Sequence, residues 1–181
     1  MGGSRDVRTE LRQAAVLVPV FRDPEGALRV VLIHRAPGGI HGDQIAFPGG
    51  AAEPHDSTLL DTALRESEEE IGLDPSAVDL LATLPTLYTS VSGISIAPFL
   101  ARIVRPERWR PDAREIADVI EPRLDDLADA AARCEIAGPF GPNGEPRRFP
   151  CIKIGEHRLW GASLRIIEPV LPRLLAGEWK I

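Results

Sequence analysis

The segment 62-TALRESEEEIGL-73 constrains the fold of this chain more than any other, because it has four glutamates within five residues and a glycine, Gly72, shortly after them. Asp56 or Ser57 can cap the start of a helix here, and Gly72 can end it after about Ile71. Like charges one turn apart destabilise a helix by roughly 0.3 kcal/mol per pair, so we expect a compensating cation. The segment therefore predicts a helix that binds a cation.

The predicted helix has two faces of different character. Its apolar stripe is formed by Leu60, Ala63, Leu64, Ser67 and Ile71. Glu66, Glu69 and Glu70 fall together on another side, and such an oxygen-rich set suits Mg²⁺ or Mn²⁺. Arg65 lies one turn before Glu69 and can pair with it, orienting a metal ligand. A solvated acidic face is the alternative, and it is the commoner meaning of an isolated run of charges.

The hydrophobic periodicity and the turn residues in the rest of the chain predict one globular domain of mixed α and β structure. Its 181 residues are 44% hydrophobic and 27% charged, so we expect a single domain over residues 1–181. The predicted strands are residues 14–21, 28–34, 80–84, 94–104 and 115–120. Further helices are predicted at 123–133 and at 160–175, the latter interrupted by prolines. A mixed sheet in an α/β fold follows.

Charge and cysteine content restrict the partners. The net charge of −6 argues against a nucleic-acid or acidic-membrane surface, whereas a small anionic ligand fits if a cation bridges it. No apolar run reaches the roughly 18 residues of a membrane span, so a cytoplasmic protein is expected. Cys134 and Cys151 lack metal-ligand spacing, and we expect both to be reduced and structural. The sequence leaves a homodimer open.

A glycine-rich region precedes the glutamate helix. Residues 36–43 read as a loop, and the break 48-PGG-50 follows a short apolar run. Glycines let the backbone approach a metal or phosphate closely, so Gly49 and Gly50 are predicted to contact the ligand. Arg35 stands at the end of a predicted strand and can clamp a phosphate, a surface ion pair being the alternative.

Residues 50–73 resemble the Nudix box, whose general pattern is G-x5-E-x7-R-E-U-x-E-E-x-G-U with U a bulky aliphatic residue. The outright matches are Arg65, Glu66, Glu69, Glu70, Gly72 and Leu73. Two departures are that the spacing from Gly50 to Arg65 is one residue longer and that Ser67 takes the first U position. Where the pattern G-x5-E has its glutamate, this chain has only Asp56 or Ser57 nearby, so that position has no assigned role.

These departures resemble the coenzyme A diphosphatase branch of the Nudix family. The likeness continues, in order, through residues 14–21, 44–50, 62–66, 84–100 and 159–167. The upstream signature of the branch is only partly present in residues 31–50. A second arginine is absent there, the loop is one residue shorter, and Asp43 stands where glycine is expected.

The resemblance implies an α/β/α Nudix fold around a mixed sheet. It also implies Mg²⁺- or Mn²⁺-dependent hydrolysis of coenzyme A or its thioesters to 3′,5′-ADP and 4′-phosphopantetheine. Glu66, Glu69, Glu70 and the Gly50 carbonyl would hold the metals. The alternatives are hydrolysis of another nucleoside diphosphate derivative, such as ADP-ribose or a dinucleotide, and a non-catalytic module that senses a nucleotide.

The remaining roles are assigned with alternatives. Glu66 and Glu115 are both candidates for the general base, and a surface carboxylate is the alternative for Glu115. Arg65 would orient the catalytic carboxylates. Tyr88 and Ser92 would shape the substrate pocket, a core tyrosine being the alternative for Tyr88.

Overall fold

The computed structural model describes residues 12–38, 42–89, 93–138 and 147–181. The strands are β1 (Arg12–Arg22), β2 (Leu28–Val30), β3 (Leu32–Arg35), β4 (Ile45–Ala46), β5 (Gly49–Ala51), β6 (Val78–Thr83), β7 (Leu87–Thr89), β8 (Ile94–Ile103), β9 (Ile116–Ile120), β10 (Arg133–Gly138), β11 (Arg147–Ile154) and β12 (His157–Trp160). The helices are α1 (Leu59–Ile71), α2 (Leu124–Ala128), α3 (Gly161–Ile167) and α4 (Leu171–Leu175). In these four ranges, no helix has the length and apolar character needed to cross a membrane.

The largest sheet is mixed, as predicted. Its strand order is β2-β1-β8-β6, with β5 added beside β1 and β7 beside β8. β1 and β8 run parallel, whereas β2 and β5 run antiparallel to β1. Two three-stranded sheets, β4-β3-β9 and β10-β11-β12, complete the described strands.

Helices cover both faces of the large sheet. Neighbouring residues of β1 point to opposite faces, and Leu17 and Val18 are both fully buried. Leu17 belongs to the core that contains Ala63 and Ile71 of α1. Val18 belongs to a second core, to which α2, α3 and α4 all contribute. The α/β/α arrangement expected from the sequence is confirmed.

The predicted strand 28–34 divides at Val31. β2 pairs with β1, while β3 turns away and pairs with β4 and β9 in another sheet. The register between β3 and β9 shifts between His34 and Arg35, and a shift of this kind re-aims the side chain that follows it. This register shift therefore re-aims Arg35.

The two helices predicted after residue 120 are both shorter than expected. α2 ends at Ala128, because Asp129 instead caps a separate 3₁₀ turn at Ala130–Ala132. The chain then continues as β10, so the predicted helix over 123–133 is wrong in its second half. The C-terminal helix is interrupted as expected, with Pro169 lying between α3 and α4.

The expectation that both cysteines are reduced is wrong. Cys134 and Cys151 form a disulfide and lie directly opposite each other on the antiparallel strands β10 and β11. Their Cα atoms are 4.9 Å apart, which is within the range that a disulfide bridges. The sequence did not predict these strands, since Pro150 interrupts the strand signal in β11.

Candidate active site

Helix α1 carries the predicted carboxylates, and both of its ends are fixed. Thr58 is the N-cap and forms a reciprocal capping box with Asp61. The predicted cap at Asp56 or Ser57 is therefore wrong by one or two residues. Gly72 adopts a left-handed conformation with φ 69°, and its N–H closes the last turn. The predicted C-terminal stop is confirmed.

Strand β5 brings a glycine backbone against the helix. Gly50 pairs with Ala15 of β1, and α1 packs over these two strands. A Cβ atom added to Gly50 would lie 2.5 Å from the carboxylate carbon of Glu66, which is closer than any real contact. Only glycine lets the β5 backbone and the Glu66 carboxylate approach this closely.

Glu70 is the buried member of the glutamate cluster, with a side chain only 4% exposed. Its Oε1 accepts a hydrogen bond from Arg35 Nη1 at 3.0 Å, and its Oε2 accepts one from the Gly49 N–H at 2.9 Å. Burial raises the pKa of Glu70 to about 7, although both of these donors lower it. Glu70 thus carries a carboxyl group that titrates near neutrality.

Glu66 and Glu69 share one arginine. Arg65 Nη1 donates to Glu66 Oε1 at 2.9 Å and to Glu69 Oε2 at 3.2 Å, which confirms the predicted pairing of Arg65 with Glu69. The Glu69 side chain is 61% exposed, whereas that of Glu66 is 18% exposed. Burial raises the pKa of Glu66, and the hydrogen bond from Arg65 partly offsets the increase. The helix therefore presents three carboxylates at three depths.

Asp56 is a site residue whose role the sequence did not reveal. Its Oδ1 accepts from Arg65 Nε and its Oδ2 from Arg65 Nη2, each at 3.0 Å. Thr62 Oγ1 also donates to Asp56 at 2.9 Å. The guanidinium beside Asp56 holds the pKa of this carboxyl well below its usual range. The sequence signal that could have revealed Asp56 is its position, which is close to that of the glutamate in the G-x5-E pattern.

An acidic pocket of about 290 Å³ opens beside α1. It is lined by Glu66, Glu69, Glu70, Asp112, Arg114 and Glu115. The structure thus brings Glu115, just before β9, together with the helix carboxylates. Asp112 and Arg114 were not predicted as site residues, because both enter the site from a loop without a recognisable pattern.

Arg35 bridges the two sides of this pocket. Besides its bond to Glu70, its Nη2 lies 3.7 Å from Glu115 Oε2. The alternative of a surface ion pair does not describe this contact, because the Glu70 carboxylate is buried. Arg35 instead holds a buried carboxylate next to an exposed one.

Tyr88, one of the predicted substrate contacts, is not brought to the pocket. Tyr88 lies on β7 and is half-exposed, and strands β1 and β8 separate it from β5. Ser92 lies outside the residues that the structure describes, as do residues 39–41 of the glycine-rich loop.

The carboxylates are suited to a hard divalent cation. In the described part of the chain, no group of three acidic or histidine side chains is already arranged to hold a metal ion. Arg35 and Arg65 instead donate hydrogen bonds to the carboxylates of Glu70 and Glu66. The donor atoms are nevertheless all oxygens, and each carboxylate oxygen has a second lone pair. The backbone of Gly50, which has no side chain to separate it from Glu66, lies against this set.

Comparison with known sequences identifies relatives. A profile of the NUDIX domain family matches residues 11–133. The uncharacterized Nudix hydrolase NudL of Pectobacterium atrosepticum is 41% identical over 117 residues, or 64% of this chain. The aligned part covers 59% of that relative, so the chain spans less than two thirds of its length.

Solved structures share the fold. A Nudix hydrolase from M. smegmatis, RenU, superposes with a TM-score of 0.65 at 21% identity, covering 94% of this chain and 89% of its own. The NUDIX domain of Shewanella oneidensis NrtR, solved with ADP ribose, superposes with a TM-score of 0.62 at 16% identity. That superposition covers 96% of this chain and 94% of the NrtR domain.

Proposed function

The chain belongs to the NUDIX domain family, and from this premise we propose that it hydrolyses the diphosphate bond of coenzyme A or its thioesters with a divalent cation. The products would be 3′,5′-ADP and 4′-phosphopantetheine. We further propose that residues 1–181 form one such domain. The observation that carries the proposal is the acidic pocket, in which Glu66, Glu69 and Glu70 meet Glu115.

The cation would be Mg²⁺ or Mn²⁺, held by Glu66, Glu69, Glu70 and the Gly50 carbonyl. When bound, such an ion neutralises charge on phosphate oxygens and lowers the pKa of an attacking water. The raised pKa values of Glu66 and Glu70 support this assignment, because a cation stabilises the ionised carboxylates that burial destabilises.

A base must accept the proton of the attacking water, and two carboxylates of the pocket are candidates. Glu115 is 57% exposed, and its Oε2 lies 3.7 Å from Arg35 Nη2. Glu66 is less exposed and accepts a hydrogen bond from Arg65 at 2.9 Å. We favour Glu115, because its carboxylate is freer to contact water inside the pocket.

Two arginines would position the carboxylates during the reaction. Arg65 is anchored on Asp56 and holds Glu66 and Glu69, so it fixes two side chains of α1 with one guanidinium. Arg35 holds Glu70 on one side of the pocket and faces Glu115 on the other. Side chains that are held in this way keep the reacting groups correctly oriented, and the site does not have to reorganise during the reaction.

The choice of coenzyme A rests on the resemblance along residues 84–100 and 159–167. The site would also accept other nucleoside diphosphate derivatives, because the cation held by the carboxylates would contact the diphosphate that these compounds share. The altered glycine-rich loop leaves a 3′-phosphate without an assigned partner there. ADP-ribose and dinucleotides are therefore the competing substrates.

The test is a screen of the purified protein against coenzyme A, dephospho-coenzyme A, ADP-ribose, a diadenosine polyphosphate and ATP, with mass identification of both products. We expect hydrolysis that needs Mg²⁺ or Mn²⁺ and stops in excess chelator. We also expect a higher kcat/KM for coenzyme A than for dephospho-coenzyme A or ADP-ribose. Equal efficiency for these three would overturn the substrate, and turnover in chelator would overturn the metal.

A further inference from the structure

We propose that Arg114 binds the diphosphate of the substrate, an inference that rests on the proposed function. The acidic pocket has a strong excess of negative charge, whereas its proposed substrate is an anion. Among the described residues that line it, Arg114 is the single cation. A guanidinium forms paired hydrogen bonds with phosphate oxygens, so it suits this ligand.

The backbone fixes the loop that carries Arg114. The Arg110 N–H donates to Ile71 O and the Asp112 N–H to Glu70 O, each at 3.0 Å. These bonds satisfy carbonyls at the end of α1 that have no partner within the helix. The loop is thus attached to the end of α1, and this attachment holds the backbone of Arg114 close to the glutamates.

The side chain of Arg114 is available to a ligand. It is 86% exposed, and its Nε and Nη2 donate to Asp112. This pair lowers the pKa of Asp112 to about 2. The Arg114 backbone N–H also donates to Asp112 Oδ1 at 3.0 Å, so Asp112 keeps a hydrogen-bond donor when the exposed guanidinium turns to a phosphate.

The other two arginines of the site are already committed to protein carboxylates. Arg35 contacts Glu70 and Glu115, and Arg65 contacts Asp56, Glu66 and Glu69. Moving either one toward a phosphate would leave a partly buried carboxylate without its partner, which is costly. Arg114 is the guanidinium that can reach the substrate without this loss.

The experiment compares Arg114→Ala and Arg114→Lys with Arg108→Ala, a matched control. Arg108 is exposed on the same loop and does not line the pocket. Two measurements are made on the full chain: steady-state kinetics with each substrate that the screen identifies, and calorimetric binding of α,β-methylene-ADP, whose diphosphate bond cannot be hydrolysed. Circular dichroism and the melting temperature of each variant report on folding.

For Arg114→Ala we expect a KM about tenfold higher, with kcat within about twofold, and about tenfold weaker binding of the analogue. Arg114→Lys should recover part of both losses, and Arg108→Ala should match the wild type. The increase in KM should be the same for all substrates that share the diphosphate. An increase confined to coenzyme A would place Arg114 at the 3′-phosphate and overturn the assignment.

The inference also fails if Arg114→Ala binds the analogue as tightly as Arg108→Ala does, or if the wild-type protein does not bind it. Failure of the proposed function looks different, because the wild type would then hydrolyse none of the screened compounds. The binding measurement tests Arg114 even in that case.

Discussion

The guanidinium of Arg65 donates to both carboxylate oxygens of Asp56, nine residues earlier in the chain, with both N–O distances at 3.0 Å. Its remaining nitrogen, Nη1, holds Glu66 and Glu69. Asp56 therefore fixes the arginine that fixes two carboxylates of the pocket. Partners behind a metal ligand usually affect metal affinity and activity even though they never touch the ion.

Replacing Asp56 with alanine should lower activity by about 10- to 100-fold, because Arg65 loses its paired anchor and no longer positions Glu66. Kinetics and Mn²⁺ titration of the variant give the measurement. Asp79→Ala is the matched control, since Asp79 pairs with Arg102 through exposed side chains. Equal activities of the two variants would show that the Arg65 anchor is dispensable.

Gly50→Ala should reduce kcat by about a hundredfold, because the new methyl group must push the Glu66 carboxylate away, and a shift of about 1 Å has an effect of this size. Ala51→Ser changes an exposed position on the same strand and should behave like the wild type. Normal turnover by Gly50→Ala would mean that Glu66 tolerates displacement.

Glu69→Gln and Glu70→Gln should each remove most of the turnover while the fold persists, since each loses a negative charge that would bind the cation. Glu68→Gln is the control, because Glu68 is exposed on the same helix and does not line the pocket. Activity is measured across a range of Mn²⁺ concentrations. Undiminished hydrolysis by both variants would remove their role in metal binding.

The metal-free protein should lose stability as the pH rises from about 4.5 to about 7. Burial raises the pKa of Glu70 to about 7 from an ordinary value of 4.5, so the folded state binds more protons than the unfolded state in this window. The free energy of unfolding contributed by Glu70 therefore falls through the window and is level above it. Denaturant unfolding of the wild type and Glu70→Gln in chelator measures the difference.

In the same window, affinity for Mn²⁺ should increase with pH, because the ion binds the ionised carboxylate. Identical pH profiles for the wild type and Glu70→Gln would contradict the assigned titration.

Breaking the disulfide should destabilise the protein by about 3 kcal/mol, the value expected from chain entropy for a loop of this length. The measurement is denaturant unfolding with and without a thiol reductant. The Cys134→Ser/Cys151→Ser double variant should be less stable and insensitive to the reductant. Two free thiols in the unfolded, non-reduced wild type would contradict the bond.

Much of helix α1 could be predicted because its signals are local. Helical spacing alone placed Ala63, Ser67 and Ile71 in the core and Arg65 beside Glu69. The same spacing could not separate a buried Glu70 from an exposed Glu69, since that difference depends on what packs against the helix. The buried position of Glu70 comes from β3 and β5, which supply Arg35 and Gly49.

Two further features that the sequence did not predict come from pairings between distant segments. Asp112 and Arg114 reach the pocket because a loop hydrogen-bonds to the end of α1. The disulfide depends on the register of β10 and β11, which hydrophobic alternation did not reveal. Hydrophobic periodicity reflects the arrangement of neighbours along the chain, whereas these contacts join residues that are far apart in sequence.

The parallel pairing of β1 with β8 affects the order in which this protein can fold. Ala15 pairs with Gly50 on one side and with Ala97 on the other, so the strand that supports the glycine backbone is itself completed about 80 residues later. During synthesis at roughly 5–20 residues per second, β8 is therefore made several seconds after β1. Until then α1 lacks part of the sheet that completes its support, and a nascent chain at this stage is exposed to proteases and chaperones.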